Sequence, residues 1–327
     1  MCPPRLIHNT FSMFSSHPTE PCSDTLKLSI IGCGNVGATT AYALLLDGII
    51  TDLALIDNNK EKAEGISLDL EHSLPFTSNV KLSAGDDYML CADSDIVIIT
   101  AGKRQAEGET RLDLIKANRA IFEEMIPKIT KNAPNSILLI VTNPVDVLTY
   151  EAQRISGFPM SRVFGTGTTL DTARLRFHIS EKIKIHPHSI ETFILGEHGD
   201  TSFPVYSSAN VSGKPLSDFE NFTKEVADQC YADAKNAAYR IIHYVGYTCY
   251  SIATVARELV LNIFNDARKV FPLSVRLNNY YGISDVALSV PCVLGRRGIE
   301  DTLLVPLSED EKESLKKSAE TLKALIS

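Results

Sequence analysis

Five short runs between residues 26 and 144 constrain the fold of this 327-residue chain more than any other feature. "LKLSIIG" (26–32), "LALID" (53–57), "NVKLSAG" (79–85), "SDIVIITAG" (94–102) and "SILLIVTNP" (136–144) are mostly apolar and rich in β-branched residues. A strand with one wet face alternates apolar and polar residues. These runs are near-continuous, as expected of a parallel sheet covered by helices on both faces. Helix candidates lie between them at 36–47, closed by Asp47-Gly48, and at 112–131, with an interruption expected near Pro127.

The reading is an α/β chain whose residues 26–165 form a doubly wound parallel sheet. Residues 166–327 read as a second, mixed α+β domain: a helix from Leu170, a strand at "IETFILG", long helices from about 219 to 265 and strands at 270–305. A last helix has acids at its start and lysines later, which suits the helix dipole. Residues 1–25, rich in Ser, Pro, Thr and His with Arg5 as their only Lys or Arg, read as a disordered extension, not as a secretory or transit signal.

Thirty-two Lys and Arg against 40 Asp and Glu leave a net charge of -8, which argues against nucleic acid or an anionic membrane as the main partner. No apolar run approaches the roughly 18 residues of a membrane span. The seven cysteines are odd in number and lack a C-x-x-C pair, so neither a disulfide framework nor a zinc site is expected and no metal is assigned. They fit a reducing, cytoplasmic compartment.

"GCGNVG" places Gly32, Gly34 and Gly37, with Asn35 and Val36 between them, directly after a strand and at the opening of a helix. The first glycine allows the tight turn, the second admits a pyrophosphate close to the backbone, and the third lets helix and strand pack. Asp57 follows 20 residues past Gly37, where a carboxylate accepts ribose hydroxyls and repels a 2′-phosphate. The pattern is the Rossmann dinucleotide fingerprint, and it points to NAD over NADP. The plainer alternative is three turn glycines and a surface aspartate.

Other residues are less telling singly. "LDTAR" puts Asp171 and Arg174 one helical turn apart, which alone reads as a surface ion pair. His198 in "GEHGD" alone reads as a structural histidine. "GKRQAEGETR" (102–111) reads as a solvated turn or as a lid carrying an electrophile and a specificity contact.

"GCGNVG", "TAGKRQAEGETRLDL", "VTNPVD", "GTGTTLDTARLR", "GEHGD" and "GYTCYSIA" follow in the order and spacing of the lactate and malate dehydrogenase family. The resemblance runs from about Leu26 to Ser327 and implies NADH-dependent reduction of pyruvate to L-lactate, with malate or another 2-hydroxy acid as the alternative. It further implies that Arg174 binds the substrate carboxylate, that His198 exchanges the proton and that Asp171 orients it. Arg111 would polarise the carbonyl, Gln105 and Thr248 would face the substrate's variable end, and Asn143 would reach both substrate and cofactor. Thr100, Ala101, Gly102, Asn118 and Ile252 would line the nicotinamide side, with a cis bond at Asn143-Pro144. Arg104 reads as a solvated loop charge.

A homotetramer in anaerobic glycolysis is the family expectation. Members activated by fructose 1,6-bisphosphate resemble the chain at Arg176 but carry histidine where Glu191 stands here, so such activation is not expected. NAD-dependent glycosidases share a similar first lobe but need metal ligands in the second, where no Cys-His cluster is seen. A non-catalytic NAD-binding protein has no need of Arg111, Asp171, Arg174 and His198 together.

Overall fold

The computed structural model describes residues 26–104 and 110–326. The expected disordered extension and Gln105 lie outside those residues. Six strands, β1 (Lys27–Ile31), β2 (Asp52–Ile56), β3 (Lys81–Gly85), β4 (Ile96–Ile99), β5 (Ile137–Ile140) and β6 (Val163–Gly165), pair in parallel in the order β3-β2-β1-β4-β5-β6. Helices α1 (Asn35–Leu45), α2 (Lys60–Glu71), α3 (Arg111–Asn132) and α4 (Val145–Ser156) connect strands of this sheet.

Neighbouring side chains on one strand enter different cores. Ile96 and Ile98 join one buried cluster, while Val97 and Ile99 join another with Phe122 and Ile126 of α3. That is why those runs cannot alternate with polar residues. β1 and β4 are adjacent, and the chain leaves them towards opposite neighbours, so a crevice opens beyond their C-terminal ends at the topological switch point. Gly32 and Thr100 stand there, one residue past each strand.

The expected interruption near Pro127 is absent: α3 runs through it from Arg111 to Asn132. Proline removes one backbone donor. The buried Met125, Ile126 and Ile129 on either side anchor the helix through that gap. Asp47-Gly48 does follow α1, with Gly48 at φ +69°.

In the second half, α5 (Thr169–Ile183) leads to β7 (Ile190–Leu195), β8 (Phe203–Val211) and β9 (Lys214–Pro215), a three-stranded antiparallel sheet. Helices α6 (Lys224–Val245) and α7 (Tyr250–Phe264) follow. Then β10 (Lys269–Arg276), β11 (Ala287–Gly295) and β12 (Gly298–Thr302) return antiparallel to the first sheet, next to β6, making it nine-stranded, and α8 (Glu309–Ile326) closes the fold. The fold class is α/β: a Rossmann sheet continued by a mixed C-terminal part. Arg257 of α7 pairs with both carboxylate oxygens of Asp47 beyond α1, tying the two halves together. Among the described residues no helix is long and apolar enough to cross a membrane.

Candidate active site

The glycine-rich turn is shaped by close approach. Gly32 has φ +98°, and a Cβ there would lie 2.5 Å from the Ala101 nitrogen. A Cβ on Gly37 would lie 1.9 Å from the Gly32 carbonyl oxygen, whereas one on Gly34 would meet nothing within 4 Å. The middle glycine therefore borders open space at the N-terminus of α1, where Asn35 is exposed and Val36 half-buried, as an anion-binding turn requires.

Asp57, one residue past β2, accepts from the Cys33 backbone N–H at 2.7 Å and the Asn59 N–H at 2.9 Å, with Lys62 Nζ at 3.7 Å. A carboxylate has about four acceptor sites, so capacity for a diol remains. The residues fit the adenosine half of NAD.

On the other side of the crevice, Thr100 Oγ1 donates to the Gly32 carbonyl at 2.7 Å. Asn118 of α3 joins the segments that follow β4 and β5: its Nδ2 donates to the Asn143 carbonyl at 2.9 Å, and its Oδ1 accepts from Lys103 N at 2.6 Å. Gly102 leaves room for this, since a Cβ there would lie 3.3 Å from Asn118 Oδ1 and 2.3 Å from Thr142 Cγ2. Asn143-Pro144 is cis. Val36 and Ile252 pack half-buried against the same core cluster. Asn118 is thus a buried polar strut that ties the segment after β4 to the segment after β5.

The second constellation assembles around the end of β7. Thr168 Oγ1 donates to the Ile194 carbonyl at 2.5 Å, and Ile194 N donates to Thr172 Oγ1 at 2.9 Å. These bonds fix the first turn of α5 against the strand, with Asp171 facing the loop beyond it. There His198 Nδ1 lies 2.6 Å from Asp171 Oδ2, and Arg174 Nη1 donates to Asp171 Oδ1 at 3.2 Å. Residues that singly suggested a surface pair and a structural histidine form one partly buried triad.

A further carboxylate, absent from the sequence reading, supports it. Asp146, in the first turn of α4, accepts from the His198 backbone N–H at 2.7 Å and from Ser274 Oγ of β10 at 2.6 Å. It thereby joins three separate elements at the histidine.

Arg111 opens α3, whose capping box is formed by Thr110 and Asp113, and its guanidinium pairs with the buried Glu197 beside His198. Arg104 is not a purely solvated charge: its Nη1 donates to the Gly246 carbonyl at 3.4 Å, two residues from the half-buried Thr248. Among the described residues no group of three His, Cys, Asp or Glu side chains is arranged to hold a metal.

The family description "lactate/malate dehydrogenase, NAD binding domain" matches residues 26–165, and "lactate/malate dehydrogenase, alpha/beta C-terminal domain" matches 168–327. The chain belongs to the lactate/malate dehydrogenase family. An L-lactate dehydrogenase of Clostridium botulinum (strain Loch Maree / Type A3) is 45% identical over 309 residues, covering 92% of this chain and 96% of the relative. One of Acetivibrio thermocellus is 45% identical over 305 residues with the same coverage. Among solved structures, a lactate dehydrogenase from a Medee basin deep-sea metagenome library superposes with a TM-score of 0.89 at 39% identity, covering 93% of this chain and 98% of that one. The minor L-lactate dehydrogenase of Enterococcus mundtii, in a ligands-bound form, gives 0.89 at 37% with the same coverage.

In this family member the electrostatics of the triad suit proton exchange. The Asp171 charge pushes the His198 imidazole up against the opposing effect of burial, to about 9, with help from their hydrogen bond and from Asp146. Burial alone would raise Asp171, but the charges of His198 and Arg174 and their hydrogen bonds hold it below the usual carboxylate range. Burial lifts Asp146 to about 6, partly offset by its bonds from Ser274 and His198.

A raised histidine is protonated below its folded value, and its stabilising contribution is lost as pH rises through it. For pyruvate reduction, kcat/KM is therefore expected to hold at neutral pH and fall as pH rises through about 9. Lactate oxidation is expected to respond with the opposite sign. A pH profile of both directions checks this, and a reduction rate already falling with rising pH near 6.5, the unperturbed value, would contradict it.

Proposed function

We infer that this chain has L-lactate dehydrogenase activity, the reversible conversion of pyruvate and NADH to L-lactate and NAD+. The observation that carries the reading is the His198–Asp171–Arg174 triad standing beside a guanidinium, Arg111, that the resemblance alone assigns to a carbonyl. The Arg174 fork takes the substrate carboxylate and so fixes the orientation of its carbonyl. His198 holds a proton towards the carbonyl oxygen, Asp171 keeps its Nδ1 occupied, and Arg111 stabilises the charge growing on that oxygen. Bound NADH supplies the hydride. The resemblance assigns Gln105 and Thr248 to the methyl end, and Asn143 to substrate and nicotinamide together. A malate specificity has no comparable support, because Gln105 carries no charge for a second carboxylate.

Asp57 decides between the two nicotinamide cofactors. Steady-state oxidation with pyruvate is expected to favour NADH strongly over NADPH, since a 2′-phosphate would face a carboxylate already held by two backbone N–H groups. Equal kcat/KM for the two would sink the assignment of Asp57, and no oxidation of either would sink the activity itself.

The homotetramer, the cytoplasmic location and the place at the end of anaerobic glycolysis are part of the same proposal. Exposed apolar side chains, Leu68 on α2, Phe76 just beyond it and Phe177 on α5, offer surface for such an assembly to bury. Among the described residues five cysteines are free and buried, in keeping with a reducing compartment.

Arg176 bears on regulation. Its guanidinium donates twice to the Thr192 carbonyl, at 3.1 and 3.0 Å, and lies 3.6 Å from the Glu191 carboxylate. A phosphate entering there meets an occupied arginine and a like charge. Fructose 1,6-bisphosphate is expected to leave the pyruvate saturation curve nearly unchanged, and a strong left shift would overturn this.

A further inference from the structure

Glu197 is a fully buried carboxylate one residue before His198, and it takes no direct part in the proton or hydride transfer. Its environment is built for it. Oε2 accepts from Thr201 Oγ1 at 2.5 Å and from Thr201 N at 3.3 Å, and its own backbone N–H donates at 2.8 Å to Ser318 Oγ of α8. A Cβ on Gly199 would lie 2.7 Å from Glu197 Oε1, so the glycine that follows His198 leaves the space into which this side chain folds. The other oxygen, Oε1, holds the Arg111 guanidinium.

The asymmetry of that pair is informative. The Glu197 side chain is 1% exposed and held by both the hydroxyl and the backbone N–H of Thr201, whereas Arg111 is 37% exposed and sits at the first position of α3. A buried charge without its counterion is costly, so the fixed partner dictates where the less buried one rests.

We propose that Glu197 is the positioning residue for Arg111: it anchors the guanidinium beside His198, so that the cation which polarises the substrate carbonyl is already aimed at it. The inference rests on the reading of the chain as a 2-oxo acid reductase. It assigns Glu197 no contact with substrate and no proton transfer. Its effect on the reaction passes entirely through Arg111.

Glu197→Gln keeps the shape and an acceptor for Thr201 while removing the charge, and it leaves no buried ion unpaired. Loss of aim is expected to lower kcat/KM for pyruvate about ten- to a hundredfold, less than deletion of an oxyanion-hole donor, with NADH affinity by fluorescence titration unchanged. Two readouts separate positioning from a general structural effect. First, 3-fluoropyruvate has a more electrophilic carbonyl that needs less polarisation, so its rate is expected to fall by a smaller factor than that of pyruvate. Second, in the background of Arg111→Gln, adding E197Q is expected to cause no further loss, because the route is already cut.

Equal losses for the two substrates, or additive losses in the double variant, would overturn the proposal, as would wild-type rates in E197Q. If E197Q does not yield folded enzyme, Glu197→Asp keeps the charge but retracts it by one methylene. It is expected to show the same unequal losses, and equal losses there would count against the proposal. A wild-type enzyme that reduces neither 2-oxo acid would instead refute the underlying activity, a separate outcome.

Discussion

Replacing His198 by Asn is expected to lower pyruvate turnover by about a hundred- to ten-thousandfold, the range contributed by a positioned general acid, while leaving NADH affinity close to wild type. The reason is spatial. The residues proposed to hold the dinucleotide, the Gly32–Gly37 turn, Asp57 and the Thr100–Gly102 segment, lie at the ends of β1, β2 and β4. The histidine stands beyond β7, held by Asp171 and, through its backbone, by Asp146. An asparagine retains that backbone bond, so the loop keeps its anchor and only the proton donor is lost. Fluorescence titration of NADH beside stopped-flow turnover tests this. A loss of cofactor affinity equal to the loss of rate would remove His198 from its role.

The second large effect is expected at residue 105. Gln105 lies outside the described residues, but both described flanks of its segment reach the site: Arg104 bonds the Gly246 carbonyl near Thr248, and Arg111 pairs with Glu197 beside His198. If residue 105 borders the substrate as the resemblance implies, a neutral amide beside the methyl of pyruvate leaves no ion unpaired. Oxaloacetate in the same place would bury a carboxylate without a cation, and an unpaired buried charge costs about 3–5 kcal/mol, roughly two to four orders of magnitude in kcat/KM. Gln105→Arg supplies the missing cation and strands it when pyruvate binds. The preference is therefore expected to invert or nearly so, with Arg174 still holding the carboxylate common to both substrates. An unchanged ratio of the two rates would place residue 105 outside the site.

Much of the fold was legible because its cause is local. Runs such as "SDIVIITAG" declare a strand covered on both faces, and "GCGNVG" declares the turn that follows one. Strand limits were overestimated where a run continues into functional loop: β4 stops at Ile99, and Thr100 to Gly102 belong to the crevice. The break expected near Pro127 failed because burial of neighbouring side chains outweighs one missing donor.

The continuation of the first sheet by β10, β11 and β12 joins residues more than a hundred positions apart, through the single pairing of Ser274 with Gly165, and no periodicity announces it. The site divides in the same way. Asp171, Arg174 and His198 were named through the family resemblance, since each alone reads as an ordinary surface or structural residue. Asp146 and Glu197 sit inside quoted motifs, "VTNPVD" and "GEHGD", yet their importance lies in what they touch. Ser274, Ser318 and Arg111 come to them from distant parts of the chain.

The site is expected to take a 2-oxo acid whose variable end is uncharged. Steady-state kcat/KM of the wild-type enzyme with NADH, measured for pyruvate and for oxaloacetate under the same conditions, tests it most directly. The expected result is a preference for pyruvate of roughly two orders of magnitude or more. Equal values, or a preference for oxaloacetate, would contradict it.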